Sequence, residues 1–272
     1  MIIGGHENKD GVASGAMEEA NGDPLEILQG FLNLIKKKKP KIEIVTTASE
    51  DGTGSFRDYK KIFSKMGVSN IGHIHHDKRK DVLTDDLEER TLNADGIFFT
   101  GGDQLKLTSV YGGTKFLLLL KQQYIRRRII LAGTSAGAMA FSTPMIYGGS
   151  AEKQQIVGEV RMALGLEFLK DVCIDTHFVD RSRSVRMSQV IASNPTCIGI
   201  GIEEDTALIL RKGNELSVIG SGTVTIIEGF NIEESNITDY GEEKCISVNG
   251  LIERLIAKGD CYTIPKINPP HL

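Results

Sequence analysis

A chain of 272 residues, 40% apolar and 25% charged, has the balance of an ordinary globular protein and room for one large α/β domain or two small ones. A net charge of −4 gives no cationic field for nucleic acid, and no window approaches the run of about 20 apolar residues that spans a membrane, so neither partner is expected. The opening Met1-Ile-Ile-Gly-Gly-His-Glu7 has no basic segment leading into a long apolar core, which makes a cytoplasmic location the expectation.

In chain order, Ile2-Ile3 begin a strand that Gly4-Gly5 end, and a polar, Gly-rich loop runs on to Gly22. Asp23-Pro24 reads as an N-cap followed by proline at the first helical position. Ile27, Leu28, Phe31, Leu32 and Ile35 then form a helical stripe, with Lys36 to Lys39 complementing the helix end before Pro40 stops it. Lys41 to Val45 is a strand, and Phe56, Tyr59, Phe63 and Met66 recur at helical spacing up to Gly67. His73, His75 and His76 have only Asp77 for company, so a solvated strand end is expected there rather than a metal site. A charged helix is predicted from Thr84 to Asn93, and Ile97 to Thr100 reads as a buried parallel strand. One helix from Gln104 to Tyr124 and a central strand, Ile129 to Ala132, come next.

Residues 141 to 170 are less regular, with a short helix expected among them. Asp171 to Asp175 is a strand, Arg181 to Ala192 a helix, and Ile198 to Ile202 a strand. From Thr206 to Ile227 the pattern alternates, with turns at 211–214 and 221–222. The strict alternation before that predicts an α/β fold: a doubly wound, mostly parallel sheet sandwiched by helices, with an antiparallel C-terminal extension, in one catalytic domain over residues 1–272. Cys173, Cys197, Cys245 and Cys261 are widely spaced and read as free thiols; neither a metal nor a cofactor is expected.

The chemistry gathers around Gly133-Thr-Ser-Ala-Gly137. An apolar strand running into G-x-S-x-G and then helix-forming residues is a nucleophile elbow, in which a sharp turn lifts Ser135 over the sheet edge. The pentapeptide alone is equally compatible with a plain strand-to-helix turn. A serine nucleophile needs a base and an acid that orients it. Of the histidines after Ser135, His177 follows a predicted strand whose end could meet the Ser135 loop across one parallel sheet, whereas His271 lies in a Pro-rich tail. Glu203, Glu204 or Asp205, after the next strand, could supply the acid. Ala136 N–H at the helix start and Gly102 N–H at the end of the Ile97 strand are the candidate oxyanion donors. Arg181, Arg183 and Arg186 crowd the start of a helix, where cations are disfavoured, and so point to an acidic substrate. Asp175 and Asp103 could meet a cationic part of it. His6 stands in the first polar loop without an assigned role.

Together, Gly101-Gly-Asp-Gln-Leu105, Gly133 to Ala138, Asp175-x-His177 with its trailing arginines, and Gly201 to Ala207 resemble the cyanophycinases, a serine peptidase family that also holds α-aspartyl dipeptidase. The resemblance runs over nearly the whole chain. It implies a class I glutamine amidotransferase-like sandwich, frequently dimeric, that cuts cyanophycin, a polyaspartate bearing arginine on each side chain, into β-Asp-Arg dipeptides. It further implies Ser135 as nucleophile, His177 as base and Glu204 as acid, with Gln104, Asp175, Thr176, Arg181, Arg183 and Arg186 around the substrate. The family's usual residue at position 176 is Gln, so Thr176 shortens a side chain facing the pocket. The alternatives are a dipeptidase for aspartyl or isoaspartyl peptides, an α/β-hydrolase esterase using His271, and a non-catalytic binder of charged peptides.

Overall fold

The computed structural model describes residues 1–9, 25–150, 152–239, 241 and 243–265. Gly96–Phe99 is buried at every position because it is covered on both faces: Ile97 and Phe99 enter one core, Phe98 the other. Ile2 and Ile3, Leu131 and Ala132, and Leu208 and Ala207 divide in the same way. In chain order the elements begin β1 (Ile2–Ile3), α1 (Glu26–Ile35), β2 (Lys41–Val45), α2 (Gly52–Lys65) and β3 (Asn70–Ile74). They continue with α3 (Arg79–Thr84), α4 (Leu87–Asn93), β4 (Gly96–Phe99), α5 (Gln104–Tyr111), α6 (Lys115–Ile125), β5 (Ile130–Thr134) and α7 (Ala136–Met139). Then come β6 (Met145–Gly148), β7 (Arg161–Ala163), β8 (Val172–Thr176), α8 (Ser184–Ser193), β9 (Ile198–Ile202), β10 (Thr206–Arg211) and β11 (Glu215–Gly220). The last are β12 (Val224–Glu228), β13 (Glu234–Ser235), β14 (Val248–Asn249), β15 (Ile252–Ile256) and β16 (Cys261–Thr263).

The fold is the expected α/β sandwich. Its large sheet has the order β16-β11-β10-β1-β5-β4-β2-β3, parallel from β1 to β3 and antiparallel from β10 outward. Helices α1 and α2 cover one face through Ile27, Leu28, Phe31, Tyr59, Ile62 and Phe63. On the other face lie α5, α6 and α7 together with a second sheet, β15-β12-β9-β8. Ile174, Ile200, Ile202 and Ile226 of that sheet share one core with Ile97 and Phe99 of the first. Burying a side chain of this size contributes about 1.5–3 kcal/mol, which makes sheet-on-sheet docking a large part of stability. The far face of the second sheet packs Cys173 and Ile227 against Met187, Val190 and Ile191 of α8.

One detail differs: the strands expected in one mostly parallel sheet with its antiparallel extension are divided between two sheets. β8 pairs in parallel with β9, but in the second sheet, and β12 joins that sheet rather than extending the first. Both strands are apolar enough for either position, so composition does not separate the sheets. The chain crosses between them at residues 203–205, from β9 to β10.

Several boundaries also move. The predicted Gln104–Tyr124 helix is two, because Gly112-Gly113 breaks it and Thr114 caps the second, accepting from Leu117 N at 3.3 Å. The helix predicted from Thr84 to Asn93 starts later, at Leu87 (α4), and Thr84 instead ends a separate helix, α3. In place of a helix within 141–170, the described residues form the β6–β7 hairpin. The histidines of β3 and its end are not a solvated strand end. His76 is buried between Tyr111 Oη and Asp85 at 3.0 Å each, while the Thr46 hydroxyl bridges His73 and His75 at 2.8 and 2.9 Å. The Asp23-Pro24 cap and His271 lie outside the described residues. Among those residues no helix is long and apolar enough to cross a membrane.

Candidate active site

Strand β5 ends at Thr134, and α7 starts one residue beyond Ser135. So abrupt a turn puts Ser135 at φ 51°, ψ −119°, a strained conformation for a residue with a Cβ. Its N–H is held by Ile3 O at 3.1 Å and its carbonyl by Met139 N at 3.0 Å. The flanking glycines are sterically required. A Cβ on Gly133 would lie 2.6 Å from the Gly137 carbonyl, and one on Gly137 would lie 2.5 Å from Phe99 O.

The Ser135 hydroxyl is 2.8 Å from His177 Nε2. On the other side of the ring, His177 Nδ1 is 2.5 Å from Glu204 Oε1. A carboxylate only accepts, so His177 Nδ1 carries the proton in this arrangement and Nε2 has a lone pair for the serine O–H. Of the three candidate acids, Glu204 alone reaches His177. Glu203 accepts from Thr223 N at 2.6 Å, and Asp205 from Asn8 N and Ser221 Oγ. Ser135 therefore comes from the end of the first sheet's β5, His177 from the end of β8 in the second, and Glu204 from the crossover between them.

Ser135 opens into a cavity of about 150 Å³ that Gly102, Gln104, Ala136, Tyr147 and Thr176 also line. Gly102 and Ala136, the residues expected to carry the oxyanion donors, thus line the cavity that holds Ser135. Gln104 is held in place, donating to Ile146 O at 2.8 Å, and Asp103 caps α5 instead of facing a ligand. Arg181, Arg183 and Arg186 line this cavity and a neighbouring one of about 210 Å³.

Asp175 takes a different place from the one expected. It is fully buried and accepts from Arg183 Nη1 at 2.9 Å and from Arg186 Nε at 2.6 Å and Nη2. Its carboxylate holds the arginines, leaving it no free face toward a substrate cation. It also offsets the cost of placing cations at the α8 N-terminus. The Arg181 guanidinium has no hydrogen-bond or ion-pair partner among the described residues and is exposed. The Thr176 hydroxyl is buried and likewise without a partner.

Burial lowers the His177 pKa, opposed by its hydrogen bond to Glu204 and reinforced by the charge of Arg181. For Glu204, burial pushes upward, but the hydrogen bond from His177 and the nearby imidazoles outweigh it and hold the carboxyl below its ordinary value.

The first polar loop supplies two neighbours that no motif marks. His6 Nδ1 lies 2.8 Å from Glu204 Oε2, and buried Glu7 accepts from the Thr134 hydroxyl at 2.6 Å and from Tyr59 Oη. The one available signal was position, directly after a strand-ending Gly-Gly. His6, His177 and Glu204 could close on a metal ion, since one ligand atom from each lies within 4.8 Å of the others. The same carboxylate and both Nδ1 atoms are already joined by hydrogen bonds, which such an ion would displace.

A model of peptidase family S51 matches residues 12–219, well over half of the chain. The chain belongs to that family. A cyanophycinase of Geminocystis herdmanii is 33% identical over 251 residues, 92% of each chain. A cyanophycinase of a Nostoc species is 31% identical over 92% of this chain and 84% of its own. A solved peptidase from an acI-B1 Actinobacterium superposes with a TM-score of 0.63 at 21% identity, covering 96% of this chain and 94% of its own, which shows the shared fold. A putative peptidase E protein from Listeria monocytogenes superposes with a TM-score of 0.50 over 72% of this chain. This S51 peptidase is accordingly a hydrolase of peptide bonds.

Proposed function

We propose that this S51 peptidase is a single-domain enzyme that hydrolyses cyanophycin to β-Asp-Arg dipeptides through Ser135, His177 and Glu204. One observation carries the reading: the continuous hydrogen-bonded line from Ser135 Oγ through the His177 ring to Glu204, opening onto an arginine-lined cavity. The cyanophycinase relatives, similar over nearly the whole chain, support the substrate.

His177 Nε2 takes the serine proton as Oγ attacks a backbone carbonyl of the polyaspartate, and Glu204 stabilises the imidazolium. The Gly102 and Ala136 N–H groups receive the oxyanion. Collapse of the tetrahedral species expels the amine, which takes its proton from His177. Water, deprotonated by the same ring, then releases the acyl group. Asp175 offsets one of the three arginine charges, so the wall stays cationic and suits the carboxylates of the substrate, with Arg181 the freest to move. Gln104 lines the same cavity and supplies a polar contact, whereas the Thr176 hydroxyl is buried behind it and makes none.

Purified protein incubated with cyanophycin should release a product with the mass of one Asp-Arg unit, whose β linkage an α-aspartyl peptidase leaves intact. Turnover of free aspartyl or isoaspartyl dipeptides, with the polymer untouched, would replace this reading by a dipeptidase. The pH dependence is set by the base, which works only when neutral. Because burial lowers the His177 pKa, the acid limb of kcat/KM is expected below about 6.5, the ordinary imidazole value. A kcat/KM profile recorded from pH 4.5 to 8 checks it; a limb above that value would contradict the assignment.

A further inference from the structure

The catalytic line uses no side chain from residues 4–8, yet this loop touches all three of its segments. Gly4 O accepts from His177 N at 3.0 Å, and Gly5 O accepts from Asp205 N at 2.9 Å. At φ 104°, Gly5 lies against the His177 ring so closely that a Cβ would be 2.4 Å from Cε1. Glu7 reaches the elbow through Thr134. Between them stands His6, itself at φ 48°, with its Nδ1 2.8 Å from Glu204 Oε2 and its ring edge-on to His177 at 5.0 Å. A non-glycine residue held at positive φ needs a reason, and here the strained backbone delivers the imidazole to the free oxygen of the acid.

That oxygen would otherwise be loosely held. Glu204 is partly exposed, its terminal torsion is intrinsically broad, and one hydrogen bond to His177 leaves the carboxylate plane free to rock. A second donor at fixed position defines the plane.

We propose that His6 is a positioning residue that locks Glu204 through Oε2, extending the line to Ser135–His177–Glu204–His6. This rests on the catalytic assignment made above. Oε2 accepts from the His6 Nδ1–H while Oε1 accepts from His177 Nδ1–H, so the two imidazoles grip opposite oxygens of one carboxylate. The exposed His6 side chain touches neither the Ser135 cavity nor the arginine wall, so it acts through Glu204 and not on substrate.

Two substitutions test it. His6→Gly removes the imidazole and suits the positive φ, so the fold should survive. His6→Asn also tolerates that backbone and returns an N–H donor near the place of Nδ1. The expected result for His6→Gly is a fall in kcat of about 10- to 100-fold, the size of effect that a small misplacement of a catalytic group produces. KM and the melting temperature should not move, and labelling of Ser135 by a fluorophosphonate should slow by the same factor. His6→Asn should recover kcat to within about 3-fold of the parent. The proposal is overturned if His6→Gly keeps its kcat, if its loss appears in KM alone, or if His6→Asn falls as far as His6→Gly. Ser135→Ala, assayed beside them, separates the two layers. If it retains activity, the catalytic assignment fails; if it is inactive while His6→Gly is unimpaired, only the role of His6 fails.

Discussion

Ser135→Ala is expected to lower kcat by roughly 10⁴- to 10⁶-fold while the protein melts at its original temperature. Without Oγ no acyl-enzyme forms, and what remains is the contribution of the oxyanion donors and of substrate binding. Stability should hold because alanine carries the same Cβ through the same strained turn and the lost hydroxyl bond is only partly buried. His177→Ala should cost a comparable factor, and the double variant little more than either, since the two side chains act as a unit. The esterase alternative makes the opposite demand: there His271 is the base and His177 dispensable. Rates of product release by these three variants and by His271→Ala, with far-ultraviolet circular dichroism as the folding control, decide between these patterns. Near-wild-type turnover by Ser135→Ala would sink the assignment.

Asp175→Ala should be the most damaging change to the fold within the site. The carboxylate is fully buried and binds two guanidinium groups, each with a side chain less than a fifth exposed. Its removal leaves both cations without a counter-charge at the positive end of α8, with Arg183 keeping only its bond to the Thr176 carbonyl. Deleting one member of a buried ionic set costs about 3–5 kcal/mol. For a chain of this size that corresponds to a melting temperature lower by about 10 °C. The ensuing disorder of Arg183 and Arg186 should raise KM. Differential scanning calorimetry together with steady-state kinetics reads both effects. A shift of less than about 2 °C would mean that the cluster contributes little to stability. Arg186→Gln, which keeps a partner for Asp175 in Arg183, should be milder.

Much of this site could be read from the sequence because its chemistry is local. Gly133 to Gly137 encode their own turn, and each of His177 and Glu204 follows a recognisable strand. The long apolar run after Gly112-Gly113 hid both the break there and the Thr114 cap that follows it. The division into two sheets was not legible. Val172–Thr176 and Ile198–Ile202 are buried on both faces wherever they are placed, and nothing in an all-buried strand names its neighbour. The partner of Asp175 escaped for a related reason. An aspartate two residues before a histidine and followed by arginines is consistent with a substrate contact and with an internal ion pair; only its complete burial distinguishes them. His6 and Glu7 lie more than 100 residues before Ser135, and their contacts arise from the insertion of β1 between β5 and β10, a pairing that local pattern does not encode.

The crossover at residues 203–205 gives the enzyme a built-in sensor of its own integrity. Ser135 belongs to one sheet, His177 to the other, and Glu204 to the chain passing between them. Any breathing that separates the sheets, even by a fraction of an ångström and without loss of secondary structure, lengthens the Ser135–His177 hydrogen bond before anything unfolds. With the proposed catalytic line, activity should fail before the fold does. On warming, catalysis should fade while the helical signal persists, and a partly opened molecule is disarmed as a hydrolase rather than left as an indiscriminate one.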